Sequence, residues 1–299
     1  MEPANAKAMQ PNFTIITPNL NYGRFLRDCL DSVSSQTGVT VEHLVFDAGS
    51  TDDSAEIASE FPSVFFRQEP DKGMSDAINK GFDLAKGEWV MWLNADDILK
   101  PGALAEILDF TKKNPSADVV YGSFDFVDAD GRLQRRMKLP AWSNFVSVHH
   151  CCFIPSTACF FRKQTVLDEG FRLNEGFRYV MDGEFYARLH KARKSFAYLP
   201  ISLADFRIHG QNASMRHLAA KDEMIEVLES EKQHVESRSI RRVYGTTVFQ
   251  DPYLNGITDG FLYLIARAIK VMMKLRQPKT TIPVNSIGHR TPEESNTGQ

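Results

Sequence analysis

Cysteine, long apolar runs and clustered positive charge are all scarce in this sequence, and each scarcity removes a class of protein. Four cysteines (Cys29, Cys151, Cys152 and Cys159) in 299 residues show no disulfide-framework spacing, so no cross-linked scaffold is expected. Met1 to Pro11 lacks the apolar run of a signal peptide, and the expectation is a reducing, cytosolic location. Nowhere do about eighteen apolar residues follow one another, as a spanning helix needs, so any membrane contact is expected to be peripheral, on the inner face. A net charge of −3 without a dense Lys/Arg stripe gives no footprint for nucleic acid, and none is expected as a partner. A phosphate-gripping glycine turn is missing too. The first apolar strand runs into Pro18-Asn19-Leu20-Asn21-Tyr22-Gly23 instead of G-x-G-x-x-G, which argues against a dehydrogenase. Only Arg24 and Arg27 follow where sugar-nucleotide synthesis would need a basic, Gly-rich loop.

What is present is an ordinary globular composition, 42% apolar and 24% charged, enough for one large domain with an appendage. β-Branched and apolar runs at 13–17, 41–46, 64–67 and 89–93 predict strands. Between them, helical spacing of Phe25, Leu26, Cys29, Leu30 and Val33, and of Ala77, Ile78, Phe82 and Ala85, predicts helices, with a further helix at 54–59. Such alternation predicts an α/β fold with a mostly parallel sheet covered on both faces. After Asp97 the pattern changes: a helix from Pro101-Gly102 to about 111, a hairpin from strands 119–126 and 133–137, a strand at 158–162, helices at 164–169 and 182–191, and a last strand at 196–199. Domain limits follow: a disordered start (1–11), a main domain (12–214), a charged helical region (215–277) and a Pro/Thr/Ser/Asn-rich disordered tail (278–299).

Two acidic clusters sit where strands should end, Asp47-Ala48-Gly49-Ser50-Thr51-Asp52-Asp53-Ser54 and Trp92-Leu93-Asn94-Ala95-Asp96-Asp97. Ligands of open α/β sheets bind beyond the carboxyl ends of the strands. Asp96-Asp97 suits a hard divalent cation on a phosphorylated ligand, although a helix cap in a solvated turn explains the pair as well. An ionised Asp47 is acceptor-only and so able to receive the N3–H of a uracil ring. Asp182 is predicted at a helix N-terminus, where the dipole lowers its pKa; it reads either as a cap or as an acceptor for a hydroxyl proton. His149-His150-Cys151-Cys152 is not read as a metal cluster, because extended neighbours point to opposite faces and no second ligand pair follows.

Between the clusters lies Asp71-Lys72-Gly73-Met74-Ser75-Asp76-Ala77-Ile78-Asn79-Lys80-Gly81. An acidic strand end, then DKGxxDAxNKG, then LNADD, resembles the family 2 glycosyltransferases over about residues 12–214. The resemblance implies a GT-A-like fold with a nucleotide-binding half, a mixed acceptor-side half and C-terminal helices. It implies inverting transfer of a hexosyl or N-acetylhexosaminyl group from a nucleoside-diphosphate sugar, a UDP-sugar, to a glycan or lipid-linked acceptor. By the same resemblance Asp97 holds Mn²⁺ or Mg²⁺, and Asp96 holds the ribose or joins the metal. Pro18 and Asn19 lie along the nucleoside, Asp47 reads the uracil, and Asp71, Lys72, Asp76 and Asn79 line the nucleotide sugar. Asn94 stands where Asp is commoner, Ile78 where many relatives carry Arg, and Met181 where Glu is usual before the base, Asp182. Phe206-Arg207-Ile208-His209 resembles an RxHxxxxS ending whose His reaches the metal or diphosphate. Residues 149–157 then form the acceptor-side loop. The alternative is a nucleotide-sugar-binding scaffold without catalysis.

Residues 259–276 contain an apolar stretch in which Tyr263, Arg267, Lys270 and Lys274 share one helical face. Such a helix either lies on anionic headgroups, bringing the site to a lipid-linked acceptor, or packs on the main domain or across a homo-oligomer.

Overall fold

The computed structural model describes residues 10–141, 154–212, 223 and 271–272. Nine strands form one sheet: β1 (Phe13–Asn19), β2 (Val41–Asp47), β3 (Val64–Gln68), β4 (Trp89–Trp92), β5 (Ile98–Leu99), β6 (Val119–Val127), β7 (Leu133–Arg136), β8 (Cys159–Arg162) and β9 (Phe196–Arg207). Among the described residues, five α-helices of one turn or more accompany them: α1 (Gly23–Ser34), α2 (Ser54–Ser59), α3 (Met74–Leu84), α4 (Ala103–Lys113) and α5 (Met181–Lys191). The strand order is β3-β2-β1-β4-β8-β6-β9-β5, with β7 added on β6. The first four strands are parallel, β8 runs antiparallel between β4 and β6, and β9 returns parallel to β6. The expected α/β sheet with a parallel half and a mixed half is therefore present.

β1 and β4 are buried along their whole length, and alternate residues feed opposite faces. Ile16, Val90 and Trp92 join the core under α3 and α5, while Phe13, Ile15, Trp89 and Met91 join the core under α1 and α4. The five α1 residues and four α3-side residues expected inward are all buried. In the first core Trp92 stacks on Phe161 at 5.4 Å with planes 6° apart, and Phe185 of α5 meets the edge of Phe161 at 5.3 Å. Burial pushes the thiols of Cys29 and Cys159 upward, which leaves both inert in the core.

Some elements differ from the sequence reading. β9 continues twelve residues to Arg207, where a strand ending at 199 was expected. Pro200 sits where the β6–β9 register jumps from Gly122–Leu199 to Ser123–Ser202, so its missing N–H costs no ladder bond. Residues 163–167 form a π-helical turn in place of an α-helix over 164–169. The two-residue β5 had no sequence signal, yet its antiparallel pairing with Ala204 and Asp205 brings the Asp96-Asp97 turn beside the end of β9. The expected disordered ends, the helical region 215–277 and the loop 149–153 lie outside the described residues, apart from Gln10, Pro11, Glu223, Val271 and Met272. Val271 and Met272 are helical and exposed.

Candidate active site

The chain runs β1-β2-β3 outward, then crosses back to place β4 on the other side of β1. That reversal opens a crevice beyond the carboxyl ends of β1 and β4. A cleft of about 390 Å³ occupies it, with Pro18, Asn19, Asn94 and Asp96 on the strand-end wall and Arg178, Tyr179 and Asp182 on the wall formed by α5 and the segment before it. Asp71 and Gly73 close the side nearest α3. Gly73 holds φ +127°, a conformation that side-chain-bearing residues rarely adopt, and it turns the chain into α3.

The two acidic neighbours have different surroundings. Asp96 lines the cleft, and its Oδ2 lies 2.9 Å from Nε2 of His209 and 3.2 Å from Nδ2 of Asn212. The His209 ring is packed between Tyr22 and Phe25, with centroids at 5.6 and 4.6 Å. Asp97 sits behind, 1% exposed, where its Oδ1 accepts the backbone N–H of Arg207 at 3.1 Å. Burial, and then the charge of Asp96, push its carboxyl well above the usual range. The expected metal ligand Asp97 is thus turned into the protein, while Asp96 lines the cleft with the buried His209 ring behind it. Arg207, itself buried, ties this corner together: Nε donates to the Asp96 carbonyl, Nη1 to the Ala129 carbonyl and Nη2 to Asp28.

A carboxylate and an imidazole suit Mn²⁺ or a similar cation. In the structure the two are joined by a hydrogen bond of 2.9 Å. Among the described residues no cluster of three or more His, Cys, Asp and Glu side chains is present. Asn94 Oδ1 is buried without a partner in the same turn, while its Nδ2 reaches Asp97 at 3.4 Å.

Asp47 is 1% exposed and is the hub of its own corner. One oxygen accepts from the Ser50 N–H at 2.7 Å, the Gly49 N–H and Gln68; the other accepts from Asn19 Nδ2 at 2.6 Å and from the Ser50 hydroxyl. Burial would raise its pKa, but these donors outweigh it and hold the carboxyl below the usual range. The open acceptor edge expected of Asp47 is therefore occupied. Asn19 Oδ1, by contrast, is buried without a partner in a residue that lines the cleft.

Three residues of the DKGxxDAxNKG string do local work outside the cleft lining. Asp76 accepts the Lys72 N–H at 3.0 Å and pairs with Lys80, and Lys72 extends to Glu175 with its side chain 80% exposed. Asn79 uses both ends of its amide on the backbone of Leu173, at 2.8 and 3.0 Å, in place of the expected sugar contact. One turn earlier on α3, the Ser75 hydroxyl donates to Met181 Sδ at 2.9 Å. Gly81 lies where a Cβ would stand 2.5 Å from Ile16, so its lack of a side chain lets α3 sit this close to β1.

Asp182, in the first turn of α5, lines the cleft and accepts the Gly183 N–H at 2.7 Å. Desolvation by burial raises its pKa, the opposite of the lowering expected from the helix dipole. It is consequently a stronger base than its position in sequence implied. Sequence reasoning missed Arg178, Tyr179, Asn212 and Glu223. The first three belong to no separate pattern, and Glu223 lies in a charged helical stretch that reads as solvated surface.

Residues 14–171 match the family model described as glycosyl transferase family 2. A PGL/p-HBAD biosynthesis glycosyltransferase of Mycobacterium bovis is 39% identical over 118 residues, covering 38% of this chain and 46% of that protein; the chain thus spans under half the length of this relative. In three dimensions the chain resembles Staphylococcus aureus TarS 1–349 in complex with UDP-GlcNAc, with TM-score 0.59, 15% identity, and coverage of 88% of this chain and 81% of the other. It also resembles the mannosyltransferase PcManGT of Pyrobaculum calidifontis in complex with GDP-Man and Mn²⁺, with TM-score 0.52, 14% identity, and coverage of 89% and 88%. These two likenesses concern the fold, which is that of GT-A glycosyltransferases.

Proposed function

The chain belongs to glycosyl transferase family 2; from this premise we propose that it is a glycosyltransferase carrying out metal-dependent, inverting transfer of a sugar from a UDP-sugar to a hydroxyl of a glycan or lipid-linked acceptor. The observation that carries this reading is one cleft with Asp182 on one wall and Asn19 and Asp96 on the other. Asp96 and His209 would hold the divalent cation, which when bound neutralises the departing diphosphate.

The chain's own residues divide the remaining work. Asp47 fixes the Asn19 amide by accepting from its Nδ2, which leaves Asn19 Oδ1 as the acceptor for the uracil N3–H. Pro18 and Asp71 border the nucleotide. Asp182 takes the proton of the acceptor hydroxyl while the oxygen bonds to the anomeric carbon and the bond from that carbon to the diphosphate breaks, inverting the centre. The raised pKa of Asp182 favours that proton transfer. UDP-GlcNAc in a structure of the same fold, and GDP-Man with Mn²⁺ in another, support a nucleotide-sugar donor and a cation.

Purified protein should gain thermal stability with UDP-sugars in the presence of Mn²⁺, release UDP in the presence of acceptor, and lose both responses with a chelator. Binding that is indifferent to metal, or a product that keeps the donor's anomeric configuration, would sink the reading.

A further inference from the structure

Glu223 is the one described residue that reaches this site from the charged region beyond position 212. Its carboxylate accepts three consecutive backbone N–H groups: Arg178 at 3.0 Å, Tyr179 at 2.8 Å and Val180 at 3.2 Å. Val180 is the N-cap of α5, and no side chain within that cap supplies a hydrogen bond. Of the three, the Val180 N–H belongs to the helix start, whose first N–H groups have no partners inside the helix, while Arg178 and Tyr179 lie just before it; an external carboxylate there is also favoured by the positive end of the helix dipole. Hydrogen bonds to an ionised acceptor are also about twice as strong as neutral ones.

We propose that Glu223 is a positioning residue, whose carboxylate clamps the backbone leading into α5 and so holds Asp182 at the cleft wall. Asp182 lies two residues past Val180, and Arg178 and Tyr179 themselves line the cleft. α3 fastens neighbouring parts of the same segment, through Asn79 on Leu173 and Ser75 on Met181. α3 and Glu223 thus hold the segment at different points along it. Without Glu223 the three N–H groups lose this acceptor, and the start of α5 is left with its attachments to α3 and its core packing. Displacements of about 1 Å in a catalytic group are enough to lower a rate a hundredfold. The Glu223 side chain lies in a part of the chain outside the matched residues 14–171. This assignment rests on Asp182 being the base proposed above.

The test uses the full chain with Glu223→Ala and Glu223→Gln, read in two ways. Amide hydrogen exchange over residues 178–183 reports the clamp directly. Steady-state transfer with a UDP-sugar, together with UDP and Mn²⁺ affinity, reports its consequence. In Glu223→Ala, protection at 178–180 should fall, kcat should drop about ten- to a hundredfold, and donor KM should stay within about twofold. Glu223→Gln keeps an acceptor oxygen and should lie between the two. Unchanged protection in Glu223→Ala would overturn the clamp; lost protection with unchanged kcat, or equal losses in kcat and donor affinity, would overturn the positioning role. A wild-type chain that transfers no sugar would sink the activity reading instead, and the exchange result alone would then confirm or overturn the clamp.

Discussion

Asp96 and Asp97 are chemically identical neighbours, and their substitution separates what they do. Asp97→Asn keeps a carbonyl oxygen for the Arg207 N–H in a buried, isosteric setting, so Mn²⁺ affinity should change only a few-fold. Asp96→Asn removes the carboxylate beside His209, and UDP binding should lose its dependence on Mn²⁺. Titrating both variants with Mn²⁺ checks the pair, and equal losses would contradict the assignment. For Asp182→Asn, transfer should fall on the order of a hundred- to ten-thousandfold while donor affinity is nearly unchanged. A base must be ionised, and burial raises the Asp182 pKa, so the wild-type rate should fall as pH drops through a value above the ordinary carboxylate range of about 3.9. That acid limb should be missing in the variant. The acidic pair and Asp182 were legible from their places at a strand end and a helix start. Which member of the pair faces the cleft was not, because composition does not encode the twist of a turn.

Asn79 links α3 to a loop residue, Leu173, that the chain separates from it by nearly a hundred residues. Asn79→Ala would leave the Leu173 N–H and carbonyl without their partners, a loss of about 1–3 kcal/mol when such groups stay buried. Urea unfolding should show this cost, and transfer should fall by more than donor affinity does, since the affected segment leads to Asp182 and not to the strand ends. Equal loss of both would place Asn79 back at the donor. Helix faces were readable because apolar residues recur at 3.6-residue spacing: all five expected positions of α1 are buried. β9 was legible only to Leu199. Pro200 reads as a break in one strand, and it is tolerated because the partner strand shifts register at that point.

Across the molecule, the parallel half of the sheet carries a pH dependence through His43 of β2. Its Nε2 lies 2.9 Å from the Thr17 hydroxyl, and desolvation lowers its pKa to about 3. An unfolded His titrates near 6.5, so between these values the unfolded chain binds the proton and the folded chain does not. Stability should therefore be full above about pH 6.5 and decline as pH falls, by on the order of 2 kcal/mol between pH 6.5 and 5. Urea midpoints at these two pH values check this, and His43→Gln should flatten the slope. By itself the sequence determined the order of strands and helices, the covered parallel sheet, the acidic residues at strand ends and the family resemblance, because periodicity and short motifs are local. The tertiary structure alone decided that Asp96 meets His209, that Asp97 turns inward, that Asn79 braces the path to Asp182 and that Glu223 caps it. Those contacts join residues roughly forty to more than a hundred positions apart. No spacing rule along the chain records which distant groups packing will bring together, and burial, which sets their charge and exposure, exists only once they have met.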